Sequence, residues 1–208
     1  MNSYYGDHAW KGKFLNKLIK DLEYSSYLEL GTASGCWSWD FIECEKKVGV
    51  DIDPSLKIPG VLCSTTDEYF ADLGPDEKFD MIYIDACHEK NQVFVDFCNA
   101  IKHLNEGGLI IMHDIYPLTE RYAGLDLNGD CYEFWIELVE NYPERTSVFI
   151  GYEGDPEGTM GIYYGKDLEF DSKKINELNH SYQFFTNNVK KYIHDKVVTG
   201  EELISNAK

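Results

Sequence analysis

Apolar residues recur along this chain in two alternating patterns, one with helical spacing and the other in short unbroken runs. The helical spacing appears first, near the start of the chain, at Phe14, Leu15, Leu18, Ile19 and Leu22. Short apolar runs then alternate with helical or turn-rich segments, and they predict strands at 27–30, 47–52, 61–63, 79–85 and 109–112. Runs that are continuously apolar, rather than alternating with polar residues, are typical of a parallel sheet covered on both faces.

The segments between these runs carry helical spacing, and the pattern changes near the end of the chain. We expect helices around 37–42, at 66–73 and over 93–104, the last closed by the glycine pair at 107–108. Two strand-like runs, 148–150 and 160–164, flank the turn-rich segment 151–158 and predict an antiparallel hairpin. Beyond 166 we expect one polar helix near 173–194 and a frayed end.

These elements together predict an α/β fold. Right-handed crossovers between parallel strands give a doubly wound, Rossmann-like sandwich, here with a mostly parallel seven-stranded sheet that ends in a C-terminal antiparallel hairpin. We expect a single domain over 1–208, built from an N-terminal helical segment (1–24), a core (25–165) and a C-terminal helical tail (166–208). The length of 208 residues fits one large domain.

Charge and cysteine content indicate which partners and which cellular compartment we expect for such a domain. The 37 Asp and Glu residues against 19 Lys and Arg give a formal net charge of −18, which repels phosphate backbones and anionic membrane surfaces. We therefore expect no nucleic-acid and no membrane partner. Six cysteines without a CxxC pair, and no signal-peptide pattern at the N-terminus, predict a cytoplasmic protein with free thiols.

Polar and glycine residues gather where the predicted parallel strands end, which is where ligands bind in open α/β sheets. After the first strand, 29–35 reads Glu-Leu-Gly-Thr-Ala-Ser-Gly, with glycines four residues apart rather than the GxGxxG of nicotinamide-binding proteins. Glu29 would bind a cationic group near this loop. Asp51 closes the second strand, where an acid can hold two ribose hydroxyls.

The motifs resemble those of class I S-adenosylmethionine-dependent methyltransferases, in particular the methyltransferase-24-like group that includes macrocin-type sugar O-methyltransferases. The resemblance spans about 25–165 and rests on the runs 29–35, 48–54, 79–88 and 104–114. It implies that the loop residues Gly31, Thr32, Ala33 and Gly35 contact S-adenosylmethionine, with the methionine part near the glycines. It also implies that Asp51 holds the ribose, that Ile52 lies against the adenine, and that Asp85 borders the cofactor. Thr65 falls where many relatives place an adenine-contacting acid.

A second set of polar residues follows the fourth and fifth strands. Asp85 and Asp114 end neighbouring strands, so their carboxylates and the imidazole of His113 can converge on one cation. Mg²⁺ prefers oxygen ligands, whereas an imidazole better suits Mn²⁺, Fe²⁺ or Zn²⁺. The resemblance supports a metal that would lower the pKa of an acceptor hydroxyl. A structural role for His113 is the alternative.

The catalytic base is the point at which the chain departs from the macrocin-type pattern. Those relatives carry an acid two residues after the first metal ligand, and later an Asp-Asp pair. Here these places hold Cys87 and His113. His88 is the better candidate base, because a neutral imidazole accepts a proton near pH 7. Capping a helix, or bonding Asp114 to fix a loop, are its alternative roles.

The loop after the fifth strand is long enough to be functional, and Tyr116, Arg121 and Tyr122 are the candidates there for contacting a substrate.

The leading hypothesis is methyl transfer from S-adenosylmethionine to a small-molecule acceptor, a sugar or phenolic hydroxyl. Asp85 and His88 are its catalytic residues, and whether Mg²⁺ or Mn²⁺ assists stays open. One alternative is a metal-independent N-methyltransferase with His88 as its base. The other is an inactive S-adenosylmethionine-binding partner protein. A homo-oligomer is compatible with each.

Overall fold

The computed structural model describes residues 9–151, 158–166, 168 and 179–208. The described residues form one seven-stranded sheet with helices on both faces. The strands are β1 (Ser26–Leu30), β2 (Lys46–Asp51), β3 (Val61–Cys63), β4 (Phe79–Ile84), β5 (Leu104–Met112), β6 (Thr146–Ile150) and β7 (Thr159–Tyr164). The helices are α1 (Ala9–Asp21), α2 (Thr66–Asp72), α3 (Lys90–Lys102), α4 (Cys131–Asn141), α5 (Tyr182–Asn187), α6 (Val189–Tyr192) and α7 (Gly200–Ala207).

The strand order β3-β2-β1-β4-β5-β7-β6 confirms the doubly wound fold. β1 to β5 pair in parallel, and β7 runs antiparallel to both β5 and β6. The predicted hairpin strands are therefore present, while the segment 152–157 that joins them lies outside the described residues. Reversal of the strand order on either side of β1 and β4 opens a crevice at their carboxyl ends, where the polar residues lie.

Side chains of the central strands alternate between two apolar layers. Leu28, Ile82 and Ile110 face the layer that contains α3 and α4, and Tyr27, Met81 and Ile111 face the layer under α1 and α7. Both layers are fully buried, as expected for a sheet covered on both faces. This rigid frame holds the strand ends, and so the site, in place.

Three predicted elements differ from the structure. The predicted helix at 37–42 is a single 3-10 turn, Trp39–Phe41, and Trp37 is 46 % exposed. β5 begins at Leu104, because the Gly107-Gly108 pair forms an irregularity inside the strand rather than closing the preceding helix. The third difference lies in the tail.

The C-terminal tail is more ordered than its polar sequence predicts. The single helix expected at 173–194 is broken at Asn188 into α5 and α6, and its first residues, 173–178, lie outside the described part of the chain. The expected frayed end is instead α7, which starts with a capping box between Thr199 and Glu202 and buries Leu203 completely. No helix among the described residues is long and apolar enough to cross a membrane.

Candidate cofactor and catalytic site

The loop that follows β1 passes very close to the end of β4. Gly31 has a φ of +85°, and a Cβ on it would lie 2.0 Å from the carbonyl oxygen of Asp85. No side chain fits there, so the backbone at Gly31 stays open to a ligand. Ala33 also has a positive φ, 44°, and its amide donates a hydrogen bond to Asp51 Oδ2 at 2.8 Å.

Asp51 fixes this loop from the end of β2. Its Oδ2 accepts from Ala33, and its Oδ1 accepts from the amide of Asp53 at 2.9 Å. Each carboxylate oxygen has a second lone pair, so the side chain can anchor the loop and accept a hydroxyl donor at the same time. The predicted ribose-binding acid is therefore held in a defined orientation.

A pocket of about 460 Å³ opens beside Asp51, a size that suits a small-molecule ligand. Four predicted cofactor contacts line it: Gly31, Asp51, Ile52 and Thr65. The side chain of Ile52 is 70 % exposed and contributes apolar surface to the pocket. The lining also includes residues that the sequence did not single out for the cofactor: Val50, Ser64, Thr66, Asp67, Ala86, Cys87 and Gln92.

The other predicted cofactor residues lie outside this lining, and Glu29 is the clearest example. Its carboxylate is 0 % exposed and accepts hydrogen bonds from the hydroxyls of Tyr27, at 2.7 Å, and Ser38. Burial raises its pKa to about 7. Thr32, Ala33, Gly35 and Asp85 also lie outside the lining, and cofactor contact by these five residues stays a prediction.

Thr65 lines the pocket but uses its side chain locally. Its hydroxyl accepts from the amide of Glu68 at 3.1 Å, and the Glu68 carboxylate accepts in return from the Thr65 amide, which makes a capping box at the start of α2. Asp67, two residues further on, is an acid that also lines the pocket.

Two carboxylates and two imidazoles meet at the ends of β4 and β5, as the sequence predicted. Asp114 Oδ1 lies 3.0 Å from His113 Nδ1, and Asp114 Oδ2 lies 3.1 Å from His88 Nε2. Asp85 Oδ1 is 3.5 Å from His113 Nδ1 and 3.8 Å from His88 Nε2. The other oxygen of Asp85 accepts from the hydroxyl of Tyr83 at 2.9 Å. Asp114 therefore contacts both imidazoles, including that of His88, for which a bond to Asp114 was one of the alternative roles.

The donor set in this cluster is compatible with a divalent cation. One ligand atom each from Asp85, His113 and Asp114 lies within 4.8 Å of the others. Separations of 3.0 and 3.5 Å between His113 Nδ1 and the two carboxylates suit adjacent ligands of an octahedral metal with bonds of about 2.1 Å. Two oxygens and one imidazole nitrogen favour Mg²⁺ less than Mn²⁺.

Without a cation, positive charge on the two histidines balances the negative charge of Asp85 and Asp114. Hydrogen bonding to Asp85, with the charge of Asp114, outweighs burial and raises the pKa of His88 to about 9. Burial alone would lower the pKa of His113, but Asp114 and Asp85 hold it well above its usual value. His88 is therefore protonated at pH 7, contrary to our expectation of a neutral imidazole. At pH 7 it can accept a proton only when another positive charge offsets the carboxylates.

The loop after β5 locks His88 in position. Its Nδ1 bonds the carbonyl oxygen of Leu127, which directs Nε2 at Asp114. The carbonyl of His88 accepts from the amide of Asp130 at 3.1 Å, and Gly129, with a φ of +62°, packs so closely that a Cβ would lie 1.8 Å from the same carbonyl oxygen. This segment positions the cluster, a role that the sequence did not indicate.

Two other side chains of the same segment brace the cluster. Asn128 donates to Asp114 Oδ1 at 2.6 Å. Asp130 stands at the start of α4 but makes no side-chain cap there, and its Oδ1 accepts instead from the amide of Lys90, the first residue of α3. The two helices that flank His88 are thus tied together by one carboxylate.

The predicted substrate contacts do not converge on the cluster. Arg121 makes an exposed bidentate pair with Asp126, with N–O distances of 3.0 and 2.7 Å. Tyr116 packs its ring edge-on against Phe185 and His194 of the C-terminal tail. Tyr122 is half-buried, and its carbonyl accepts from the amide of Asn128. Substrate binding by these three residues stays a prediction.

Lys11 is a site residue that the sequence reading missed. It is 2 % exposed on α1, and its charge helps to hold the pKa of Asp85 well below the usual range, a shift in which burial is opposed mainly by His113. The neighbouring Gly12 is the sequence feature that could have indicated the burial of Lys11. A Cβ there would meet Ser38 O at 2.7 Å, so α1 docks closely on this end of the sheet.

Comparison with known proteins agrees with this geometry. Residues 28–115 match the model of a methyltransferase domain family, methyltransferase-24. A comparison with curated protein sequences gives no match. Among solved structures, the O-methyltransferase TomG from Streptomyces achromogenes, in complex with S-adenosylmethionine, is 17% identical with a TM-score of 0.53, over 73% of this chain and 78% of TomG.

An O-methyltransferase from Bacillus cereus, in complex with S-adenosylhomocysteine, is also similar in structure. It is 21% identical with a TM-score of 0.50, over 73% of this chain and 79% of its own. At these identities the two structures confirm the fold, while the family match covers β1 to the end of β5, where the motifs lie. Residues 28–115 therefore form a methyltransferase domain.

Proposed function

We propose that the enzyme transfers the methyl group of S-adenosylmethionine to a hydroxyl oxygen of a small sugar-like or phenolic acceptor. One observation carries this proposal: the cluster of Asp85, His88, His113 and Asp114 directly adjoins the pocket, since Ala86 and Cys87 form part of the pocket lining. A cofactor held in the pocket would thus have acid–base groups next to it. In-line transfer needs this proximity and a deprotonated acceptor.

The residues of the pocket fit the nucleoside part of the cofactor. The open backbone at Gly31, the oriented carboxylate of Asp51 and the exposed apolar side chain of Ile52 stand in the order that ribose and base require. Two similar structures are described as complexes with S-adenosylmethionine and S-adenosylhomocysteine. Thr32, Ala33 and Gly35 would then surround the methionine part.

For the acceptor, we propose that His88 Nε2 takes the hydroxyl proton. Leu127 and Gly129 fix the ring, so Nε2 faces the cluster. Asp85, His113 and Asp114 would hold a divalent cation, Mg²⁺ or Mn²⁺, and that cation would supply Lewis acidity toward the acceptor oxygen. It would also offset the two carboxylates that otherwise keep His88 protonated.

A metal-independent enzyme is the second candidate, and the pairing of Asp85 and Asp114 with imidazoles favours it. Each carboxylate already has an imidazole partner, and Lys11 adds a further positive charge nearby. An amine acceptor needs no Lewis acid, so His88 alone would serve as its base above about pH 9, where the imidazole is neutral.

Release of S-adenosylhomocysteine from S-adenosylmethionine, measured with each of a panel of catechols, sugars and amines as methyl acceptor, tests the proposal. The rate of methyl transfer to a hydroxyl acceptor should fall when EDTA is added and recover when Mn²⁺ or Mg²⁺ is restored. An unchanged rate in EDTA with an amine acceptor would select the second candidate, and no release from any acceptor, with cofactor binding intact, would leave a binding-only protein.

A matched pair of histidine variants isolates the base. His88→Gln should slow transfer by about 10² or more and leave the Kd for S-adenosylmethionine within a few-fold. His103→Gln is the control, because His103 Nδ1 also bonds a backbone carbonyl, that of Glu77 at 2.8 Å, but His103 lies at the C-terminal end of α3, whereas His88 lies before its N-terminal end. Equal rates in the two variants would contradict the role of His88.

A further inference from the structure

Lys11 is a buried cation on α1, next to the acid cluster at the ends of β4 and β5. Its side chain is only 2 % exposed, and its Nζ lies 5.8 Å from the centre of the Trp37 ring. Its positive charge acts on the carboxyl of Asp85 and on the imidazole of His113. Moving an ammonium group out of water is costly unless negative charge compensates it. Lys11 therefore belongs to the electrostatics of the candidate site.

The docking of α1 holds this ammonium group close to the cluster. The amide of Gly12 donates a hydrogen bond to the carbonyl oxygen of Trp37 at 3.0 Å. A Cβ on Gly12 would lie 2.6 Å from Phe41 Cδ2 and 2.7 Å from the carbonyl oxygen of Ser38. Because the backbone of α1 is in such close contact with this segment, Lys11 cannot leave the cluster without the loss of these contacts.

A charge count shows what Lys11 does to a cation site made of Asp85, His113 and Asp114. The two carboxylates carry two negative charges, which one divalent cation balances, and His113 must be neutral to act as a ligand. With Lys11 present, a bound divalent cation leaves one positive charge in excess, and a protonated His88 would add another. Lys11, His113 and Asp114 are each at most 3 % exposed, so the repulsion is poorly screened by salt.

Glu29 is a further acid near Asp85, but it does not change this balance. Its carboxylate is fully buried and accepts from the hydroxyls of Tyr27 and Ser38. The charge that opposes it is that of Lys47, on β2. The count of charges around the three candidate ligands therefore stands without Glu29.

We propose that Lys11 acts as a tethered cation that takes up half of the negative charge of Asp85 and Asp114 and so limits the cluster to weak binding of divalent cations. The inference rests on the proposed function only in taking Asp85, His113 and Asp114 as the cation ligands. The wild-type protein should accordingly bind Mn²⁺ with a Kd in the millimolar range.

Calorimetric titration with Mn²⁺ tests this without cofactor or methyl acceptor. Lys11→Met nearly keeps the length of the side chain and removes its charge, so the Kd for Mn²⁺ should fall by about tenfold or more. Lys17→Met is the matched control, because it removes the same charge from an exposed position of α1, where Lys17 pairs with Asp21. Its Kd should stay within about twofold of the wild-type value. A structural defect would weaken Mn²⁺ binding, so tighter binding is the signature of the charge.

A double variant locates the effect at the cluster. Lys11→Met combined with Asp85→Asn removes a ligand together with the cation, leaves less uncompensated charge in the interior, and should lose the gain in Mn²⁺ affinity. Circular dichroism checks the fold of each variant. The Kd for S-adenosylhomocysteine should stay within a few-fold of the wild-type value, since neither Lys11 nor Asp85 lines the pocket.

The outcomes separate this inference from the proposed function. Equal Kd values for Mn²⁺ in the wild type and in Lys11→Met, or a gain that survives Asp85→Asn, would overturn the role of Lys11. Micromolar binding of Mn²⁺ to the wild type would overturn it as well. Failure of the wild type to bind S-adenosylhomocysteine would instead remove the proposed function, while the Mn²⁺ titrations would still decide the role of Lys11.

Discussion

Asp96 offers the sharpest test of how the interior of this protein treats charge. Its side chain is fully buried on α3, Oδ1 accepts from Gln92, and Oδ2 has no hydrogen-bond partner among the described residues. Burial raises its pKa from 3.8 to about 6, although the Thr66 hydroxyl and the Gln92 amide act in the opposite direction. The charged form of Asp96 therefore destabilises the folded state.

The sign and size of the contribution of Asp96 to the free energy of unfolding follow from this pKa shift. Because the pKa is higher in the folded state than in the unfolded one, the protonated carboxyl stabilises the fold. That contribution is complete below about pH 4 and is lost as the pH rises through 6. A shift of about two units corresponds to about 3 kcal/mol, of which roughly half is expressed between pH 5 and pH 8.

Asp96→Asn removes the ionisable group and keeps an oxygen that can accept from Gln92. The variant should therefore gain stability over the wild type as the pH rises, by about 1.4 kcal/mol more at pH 8 than at pH 5. Urea unfolding followed by tryptophan fluorescence at several pH values measures the difference between the two proteins, so the titration of other groups cancels.

Asp53→Asn is the control for this experiment. Asp53 is exposed, and the hydroxyl and amide of Ser55 lower its pKa, so any pH-dependent difference should have the opposite sign. A difference between Asp96→Asn and wild type that stays constant from pH 5 to pH 8 would refute the reasoning, because it would mean that Asp96 ionises as easily in the fold as in the unfolded chain.

Two further substitutions test the segment that follows β5. Gly129→Ala would place a Cβ 1.8 Å from the carbonyl oxygen of His88 and should lower the free energy of unfolding by about 3 kcal/mol or more. Gly107→Ala is its control, because Gly107 also has a positive φ but has open space around it, so about 1 kcal/mol is expected, and equal losses in urea denaturation would contradict the clamp on His88. Arg121→Ala breaks only the exposed pair with Asp126, so the urea midpoint should not change, and a clear fall would give that pair an unexpected structural role.

The fold and the cofactor half of the site follow closely from local sequence. Continuous apolar runs predicted every strand of the sheet, and the residues at or just after the ends of those runs supplied Gly31, Asp51 and Ile52 for the pocket. Parallel strands put their carboxyl ends at one edge, so position along the chain translates directly into position in space. The convergence of Asp85 and Asp114 on His113 was predictable for the same reason.

Residues contributed by helices and by distant loops could not be found this way. Gln92 and Asp96 follow the polar spacing of an amphipathic helix and look solvated, and Lys11 resembles any surface lysine of α1. Only tertiary packing shows that Asp96 and Lys11 are buried. The clamp on His88 brings together residues about forty positions apart, from His88 to Asp130, which no local pattern reveals.

The C-terminal tail shows a different limit. Its polar composition predicted a frayed end, yet α7 is anchored by Leu203 and closed by the capping box at Thr199. One buried leucine and one cap are enough to order a short helix against an existing core. Average hydrophobicity carries little information about such a segment.

Calorimetric titration with S-adenosylhomocysteine tests the central claim most directly, namely that the pocket at the ends of β1, β2 and β3 is the cofactor site. The wild-type chain should bind one molecule with a Kd in the micromolar range or tighter. Asp51→Ala should weaken binding by about tenfold or more, since Asp51 anchors the loop at Ala33 and, in the proposed function, would hold the ribose, whereas Asp53→Ala should bind like the wild type. No heat at millimolar ligand, or undiminished affinity in Asp51→Ala, would contradict the account.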